Sequence, residues 1–270
     1  MLQSLFQTHK PVIGVIHLLP LPGSYGWNGD LDEVLIRAEQ EAMALSSGGV
    51  DGIIFENFFD APFARDRVDV ATACAMTLCG RKIVDSSRLP VGVNVLRNDA
   101  LTALGVATVC GARFVRVNVL SGAMLTDQGI IQGDARSVLN YRRQVSAQGD
   151  IKIFADVMVK HAYPLSQNLE IGQVARETVE RARADGIIVS GVGTGSAPSI
   201  DDLKRVKDCV PETPVLIGSG ANLENVTPLL EYADGIIVGT SIKRKGEVSN
   251  PVDVDRVRML VEAVRASSAK

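Results

Sequence analysis

Six side chains in this sequence pair useful chemistry with telling positions: His17, Glu56, Asn94, Asn118, Asp156 and His161. Imidazoles and carboxylates move protons near neutral pH, and carboxamides orient hydroxyls and carboxylates beside them. Five of the six end apolar, β-branched runs, where an ionisable or polar group is costly without a partner or a task. Glu56 and Asp156 are therefore candidates for a general acid and base around His17. They could equally neutralise Arg116 and Lys152, which alternate with Asn118, Phe154 and Asp156 along their runs. His161 follows Lys160 inside a long segment, 157–169, that reads either as a lid carrying a cation and an imidazole or, for Lys160, as solvated surface. A second long segment, 120–132, holds Thr126-Asp127-Gln128-Gly129, polar enough to touch a ligand and equally suited to an ordinary turn.

Three glycine-rich turns supply a different chemistry. They are SGVGTG at 190–195, GSG at 218–220 and GTS at 239–241. Glycine lets the backbone approach an anion, and free N–H groups at a helix entrance stabilise its charge. Ser190, Gly191, Gly193, Ser219, Gly220, Gly239, Thr240 and Ser241 thus read as a phosphate cradle, with a helix entered at Thr240-Ser241; the plainer alternative is that the glycines only make tight turns. His17, Glu56, Asp156 and His161 could in principle gather a divalent metal, but no local ligand spacing supports it, so no metal or other cofactor is expected. The Walker A pattern is absent, and the glycines after 190 lack the spacing and partner acid of a dinucleotide fingerprint.

The elements that must position these groups are short apolar runs at 12–17, 52–56, 91–95, 114–119, 151–156, 186–190, 215–219 and 235–239, each followed by a helical pattern. Near-continuous apolar strands alternating with helices indicate a parallel sheet covered on its outer face, and eight such units close a barrel. The expectation is an α/β fold, a single-domain (β/α)8 TIM barrel over 1–270 with its core at about 10–265 and a short frayed tail from Arg265. In such barrels function gathers at the C-terminal strand ends, where the six side chains and the three turns fall. Asp30 with Glu33, Ser199 and Asn250-Pro251 read as helix starts. An internal echo supports closure, since Asp-Gly-Ile-Ile opens the second, sixth and eighth runs at Asp51, Asp185 and Asp234.

The net charge of −3 announces no nucleic-acid surface, and Lys243-Arg244-Lys245 reads as a solvated loop. No run approaches the roughly 18 apolar residues of a membrane span, and residues 1–10 lack the pattern of a secretory leader. Cys74, Cys79, Cys110 and Cys209 form no Cys-x-x-Cys pair and read as small buried hydrophobes in a reducing cytosol. A homo-oligomer is expected.

The stretches VIHLLPLPG at 15–23, GVNVL at 92–96, TDQGII at 126–131, KIFADV at 152–157 with Lys160-His161, and ADGIIVGT at 233–240 occur in an order that resembles the BtpA/SgcQ family over nearly the whole chain. The resemblance implies a TIM barrel of the ribulose-phosphate-binding kind. It further implies a role in photosystem I biogenesis, in a protein of the cytoplasm or peripheral on the cytoplasmic face of the thylakoid, with a phosphorylated small molecule and photosystem I assembly components as partners. The family's other branch implies instead a soluble enzyme acting on a phosphosugar, nucleoside or nucleotide. No basic amphipathic helix or lipidation motif accounts for membrane attachment.

Overall fold

The computed structural model describes residues 1–146, 150–166, 169–191, 193 and 195–268. Eight parallel strands close a barrel: β1 (Val12–His17), β2 (Gly52–Glu56), β3 (Val91–Asn94), β4 (Phe114–Val117), β7 (Lys152–Val157), β9 (Gly186–Val189), β10 (Val215–Ile217) and β11 (Gly235–Val238). They run around it in chain order, with β11 returning to pair beside β1. These are the eight apolar runs of the sequence; β3, β4, β9, β10 and β11 end one or two residues earlier than their runs, and β7 is offset by one. Helices cover the outside, among them α2 (Leu31–Gly48), α3 (Val70–Ser87), α7 (Ile200–Cys209) and α9 (Val254–Ser268).

The core divides in two. Between sheet and helices lies a large aliphatic layer that includes Leu45, Val93, Ile153 and Val206. Inside the barrel Ile13, Val15, Ile54, Phe114, Phe154, Ile188, Leu216 and Ile237 form a second cluster, closed from below by Leu2 and Phe6 of α1 (Leu2–Phe6). Phe6 and Phe154 each meet Phe114 edge-on, at centroid distances of 5.6 and 5.5 Å. Three aromatic rings fit because glycines face them. A Cβ on Gly52 would stand 2.6 Å from Phe6, on Gly92 2.1 Å from Phe114, and on Gly186 2.6 Å from Phe154.

The Asp-Gly echo has a structural meaning. Asp51, Asp185 and Asp234 each accept a hydrogen bond, at 2.8 Å, from an N–H at the start of a neighbouring strand, the first residue at Val12 and Val215 and the second at Ile153. Each returns its own N–H to the carbonyl of that same residue, also at 2.8 Å. A cation closes each staple: Arg265 on Asp51, Arg142 on Asp185 and Lys207 on Asp234. The aspartate thus sets strand register at the barrel floor, while the following glycine makes room inside.

Asp30 and Ser199 cap α2 and α7 as their spacing suggests, accepting from the N–H of Glu33 and Asp202. α9 differs. Asn250 stays in the preceding loop, and Asp253 accepts from the N–H of Asp255 and Arg256. The bridge between Lys243 and Val252 holds the chain extended past Pro251 and delays the helix. Arg265 is no frayed tail either; it lies in α9 and is tied to Asp51, and residues 269–270 of the expected tail fall outside the described residues.

The two long segments over the barrel mouth are one object. β5 (Ala123–Thr126) and β6 (Gly129–Gln132) form a hairpin, and β8 (Ala162–Pro164) pairs with β5 to complete a three-stranded antiparallel sheet. Asp127-Gln128 is the hairpin turn, which Gly129 closes at φ +95°. Residues 167–168 of the second segment lie outside the described residues.

Candidate active site at the barrel mouth

Alternation along the strands carries the inward side chains past the aromatic layer to a polar layer at the C-terminal ends. It holds His17, Glu56, Asn94, Arg116 and Asp156, all buried. They form two groups. In the first, the Asn94 amide donates to Glu56 at 2.8 Å, and His17 Nε2 lies 3.5 Å from the other Glu56 oxygen. In the second, Arg116 donates both Nε and Nη2 to Asp156 at 2.8 Å, Asn118 donates to Asp156 at 2.9 Å, and Ser190 Oγ lies at 3.4 Å. Of the two roles open to Asp156 in the sequence, the structure gives it the neutralisation of Arg116.

Burial dominates the electrostatics. It pushes the His17 imidazole down to about 4, against the pull of Glu56 and with help from Lys243 and Lys160, so His17 is neutral at physiological pH. Its Nδ1 has no hydrogen-bond partner among the described residues, and its ring meets Phe58 edge-on at 4.6 Å. Burial opposes ionisation of Glu56 as well, yet His17, Lys160, Arg116 and the Asn94 amide together hold it below the ordinary carboxylate value. The Glu56 carboxylate is thus a charged proton acceptor beside a neutral imidazole.

These groups open onto a cavity of about 230 Å³. His17, Glu56, Arg116 and Lys160 line it together with the turns Gly218–Asn222 and Gly239–Ser241. Glycine makes the opening. A Cβ at Gly239 would come 2.7 Å from the His17 ring, and one at Gly218 would come 2.5 Å from Ser190 Oγ. Gly220, at φ +75°, lies so close to the loop after β9 that its Cβ would reach 2.1 Å from the Ala197 nitrogen. Ser219 donates to the Ser196 carbonyl and Ser241 to that of Ala221, both at 2.8 Å, so these hydroxyls tie the turns to one another. No α-helix begins at Thr240; the segment is a single three-residue 3-10 turn, Thr240–Ile242.

Of the sequence candidates, His17, Glu56, Ser219, Gly220, Gly239, Thr240 and Ser241 share this cavity. Asn94, Asn118, Asp156 and Ser190 stand behind it as hydrogen-bond partners. Gly191 packs against the Ser196 and Ala197 carbonyls, and Gly193 faces His161 at 3.6 Å from where its Cβ would be. Val192 and Thr194 of that turn lie outside the described residues. His161 points elsewhere, into a neighbouring cavity with Phe63, Arg97, Leu125, Asp127 and Tyr163. Among the described residues, no three His, Cys, Asp or Glu side chains gather as metal ligands.

Three cations were harder to read. Lys160 is a cavity wall rather than surface, and the buried Arg97 donates to its carbonyl at 2.6 Å. The only hint of Arg97 in the sequence is a charge directly after the apolar third strand. Lys243 corrects the reading of its basic run as a solvated loop. It is 1% exposed and bonded to Glu41 of α2 at 2.6 Å, because Glu41 falls on the buried face of that helix. The pair anchors the chain directly after Thr240–Ile242. Cys79 and Cys110 are buried as expected, whereas Cys74 is on the exposed face of α3.

The BtpA family profile matches residues 8–266. The Photosystem I biogenesis protein BtpA of Synechocystis sp. is 52% identical, over 96% of this chain and 89% of its own length. The sgc region protein SgcQ of Escherichia coli is 34% identical over 97% of each chain. Among solved structures, (S)-3-O-geranylgeranylglyceryl phosphate synthase from Thermoplasma acidophilum superposes with a TM-score of 0.57 over 98% of this chain and 97% of its own; at 16% identity that likeness shows the barrel fold alone.

Proposed function

The chain belongs to the BtpA family, and from that premise we propose that it serves photosystem I biogenesis by holding a phosphorylated small molecule in its barrel mouth. The observation that carries this is one cavity lined both by two glycine turns and by Lys160, Arg116, His17 and Glu56. Backbone amides after the last two strands, at a glycine that admits close approach, are the recurrent anion-binding device of this fold. Ser219 and Ser241 are engaged in joining the turns, so the phosphate falls to the turn amides and the Thr240 hydroxyl. The side chains of Lys160, Arg116, His17 and Glu56 then meet the rest of the ligand. The work would be done in the cytoplasm or at the cytoplasmic face of the thylakoid, in keeping with the name of the Synechocystis relative. Among the described residues, no helix is long and apolar enough to cross a membrane.

The test is binding followed by complementation. Inorganic phosphate and glycerol 3-phosphate should raise the melting temperature in step with occupancy, by the equivalent of about 2.7 kcal/mol at a hundredfold excess over Kd. Thr240→Asp, which puts a carboxylate at the turn, should weaken binding at least about tenfold and leave the ligand-free melting temperature unchanged. In a Synechocystis strain lacking BtpA, this chain should restore photosystem I and the Thr240→Asp variant should not. No response to either phosphate at millimolar concentration sinks the reading. A second reading, an enzyme acting on a phosphosugar, nucleoside or nucleotide, is favoured by the charged Glu56 beside neutral His17 at the same cavity.

A further inference from the structure

Among the described residues that line the cavity, Lys160 is a cation without a carboxylate partner. Asp156 is held by both arms of Arg116, and Glu56 is engaged by Asn94 and His17. Among the described residues, Lys160 enters no ion pair within 4.0 Å. Its backbone is fixed, because Val157 and Val159 are buried and Arg97 grips its carbonyl. A lysine meant only to pair or to solvate would not be placed here. Burial, together with the positive charges of Arg116 and Arg97, holds its pKa below the ordinary lysine value, although Glu56 and Asp156 pull the other way. An amine desolvated beside another cation is how a lysine becomes a nucleophile near neutral pH.

We propose that Lys160 Nζ forms an imine with the carbonyl carbon of a phosphorylated ketone or aldehyde bound in this cavity. This rests on the phosphate reading for which ligands enter. The Lys160 ammonium, its pKa lowered by burial and by Arg116, first releases a proton to water. The neutral amine then attacks the carbonyl carbon, forming a C–N bond while the C=O π pair moves to oxygen. A second amine proton passes to that oxygen, and a proton returned from the solvent completes its departure as water. Ammonium plus carbonyl thus become protonated imine plus water, with no other reactant. The imine withdraws electrons from the adjacent carbon, whose proton Glu56 can then accept.

The experiment is reductive trapping on the full chain. With dihydroxyacetone phosphate and borohydride, the protein should gain one ketone less water plus two hydrogens, mapped to Lys160. The exposed Lys204 and Lys245 should label at least about tenfold more slowly. Lys160→Arg keeps the charge but cannot form the imine, so the label disappears; its melting curve checks that it folds. Unphosphorylated dihydroxyacetone at high concentration should mark the same residue more slowly. Absence of label at Lys160 with both ketones, or equal labelling of surface lysines, overturns the proposal whether or not phosphate binds. Label at Lys160 that excess phosphate does not slow keeps the imine and removes the phosphate cradle. Phosphate binding without label removes the imine alone.

Discussion

At the scale of single residues, burial determines what each charged group of the mouth can do. Arg116 and Asp156 are 3% and 0% exposed, so neither can be repaired by water if the other is changed. Asp156→Asn keeps the shape but leaves a guanidinium buried without a counter-charge, a situation that costs about 3–5 kcal/mol. Denaturant melts of Asp156→Asn should show a loss of that order. A paired change, Arg116→Met with Asp156→Leu, should recover most of it, because an apolar pair removes both desolvation penalties. A loss below about 1 kcal/mol in the single variant would mean that Asn118 and Ser190 hold Asp156 in some other service. The type of each of these side chains could be read from the sequence. That Asp156 belongs to Arg116 while Glu56 faces the cavity could not, because the partner sits on another strand about forty positions away.

At the scale of elements, the strands carry two codes at once. Alternation sends every second side chain inward, and glycine at chosen inward positions decides where a phenyl ring can lie. Gly186 shows the coupling: an added Cβ meets Phe154 Cδ1 at 2.6 Å, in a cluster with no free space below. Gly186→Ala should therefore destabilise by about 1–3 kcal/mol through overpacking. Adding Phe154→Leu should return part of that loss, a non-additivity that a double-mutant cycle reads directly. Additive losses would show that the ring shifts freely. The mouth sheet teaches the converse lesson. β5, β6 and β8 are short and partly exposed, and a helix and a barrel strand separate β8 from the hairpin, so their apolar patterning was too weak to identify them as strands; pairing created them.

At the scale of the whole molecule, the buried polar layer ties stability to pH. His17 titrates at about 4 in the folded chain and near its ordinary 6.5 when unfolded. Between those values the unfolded state binds the extra proton, so folding stability is complete above pH 6.5 and falls as pH drops toward 4. A shift of that size corresponds to about 3 kcal/mol. Glu56, the facing carboxylate, is itself held low, so the stability its charge contributes is lost as pH falls below its ordinary value of 4.5. His17→Gln should flatten the profile between pH 6.5 and 4 and leave the alkaline side unchanged. A wild-type profile already flat in that window would show that the imidazole is reached by water.

The sequence by itself determined the architecture and the rim of the site. Eight apolar runs with helical spacers leave a closed barrel as the stable way to bury both faces of every strand, and the Asp-Gly echo marks three of the floor staples because the same local bonding problem recurs there. It also named His17, Glu56 and the glycines of the seventh and eighth turns, since strand ends and turns are local features. Only the tertiary structure decided which carboxylate is spent on an arginine, that Lys160 faces inward while its neighbour His161 opens onto another cavity, and that Lys243 is buried against Glu41. These are pairings between distant segments. Their physical basis is desolvation, which a charge in sequence does not display until the fold has removed its water.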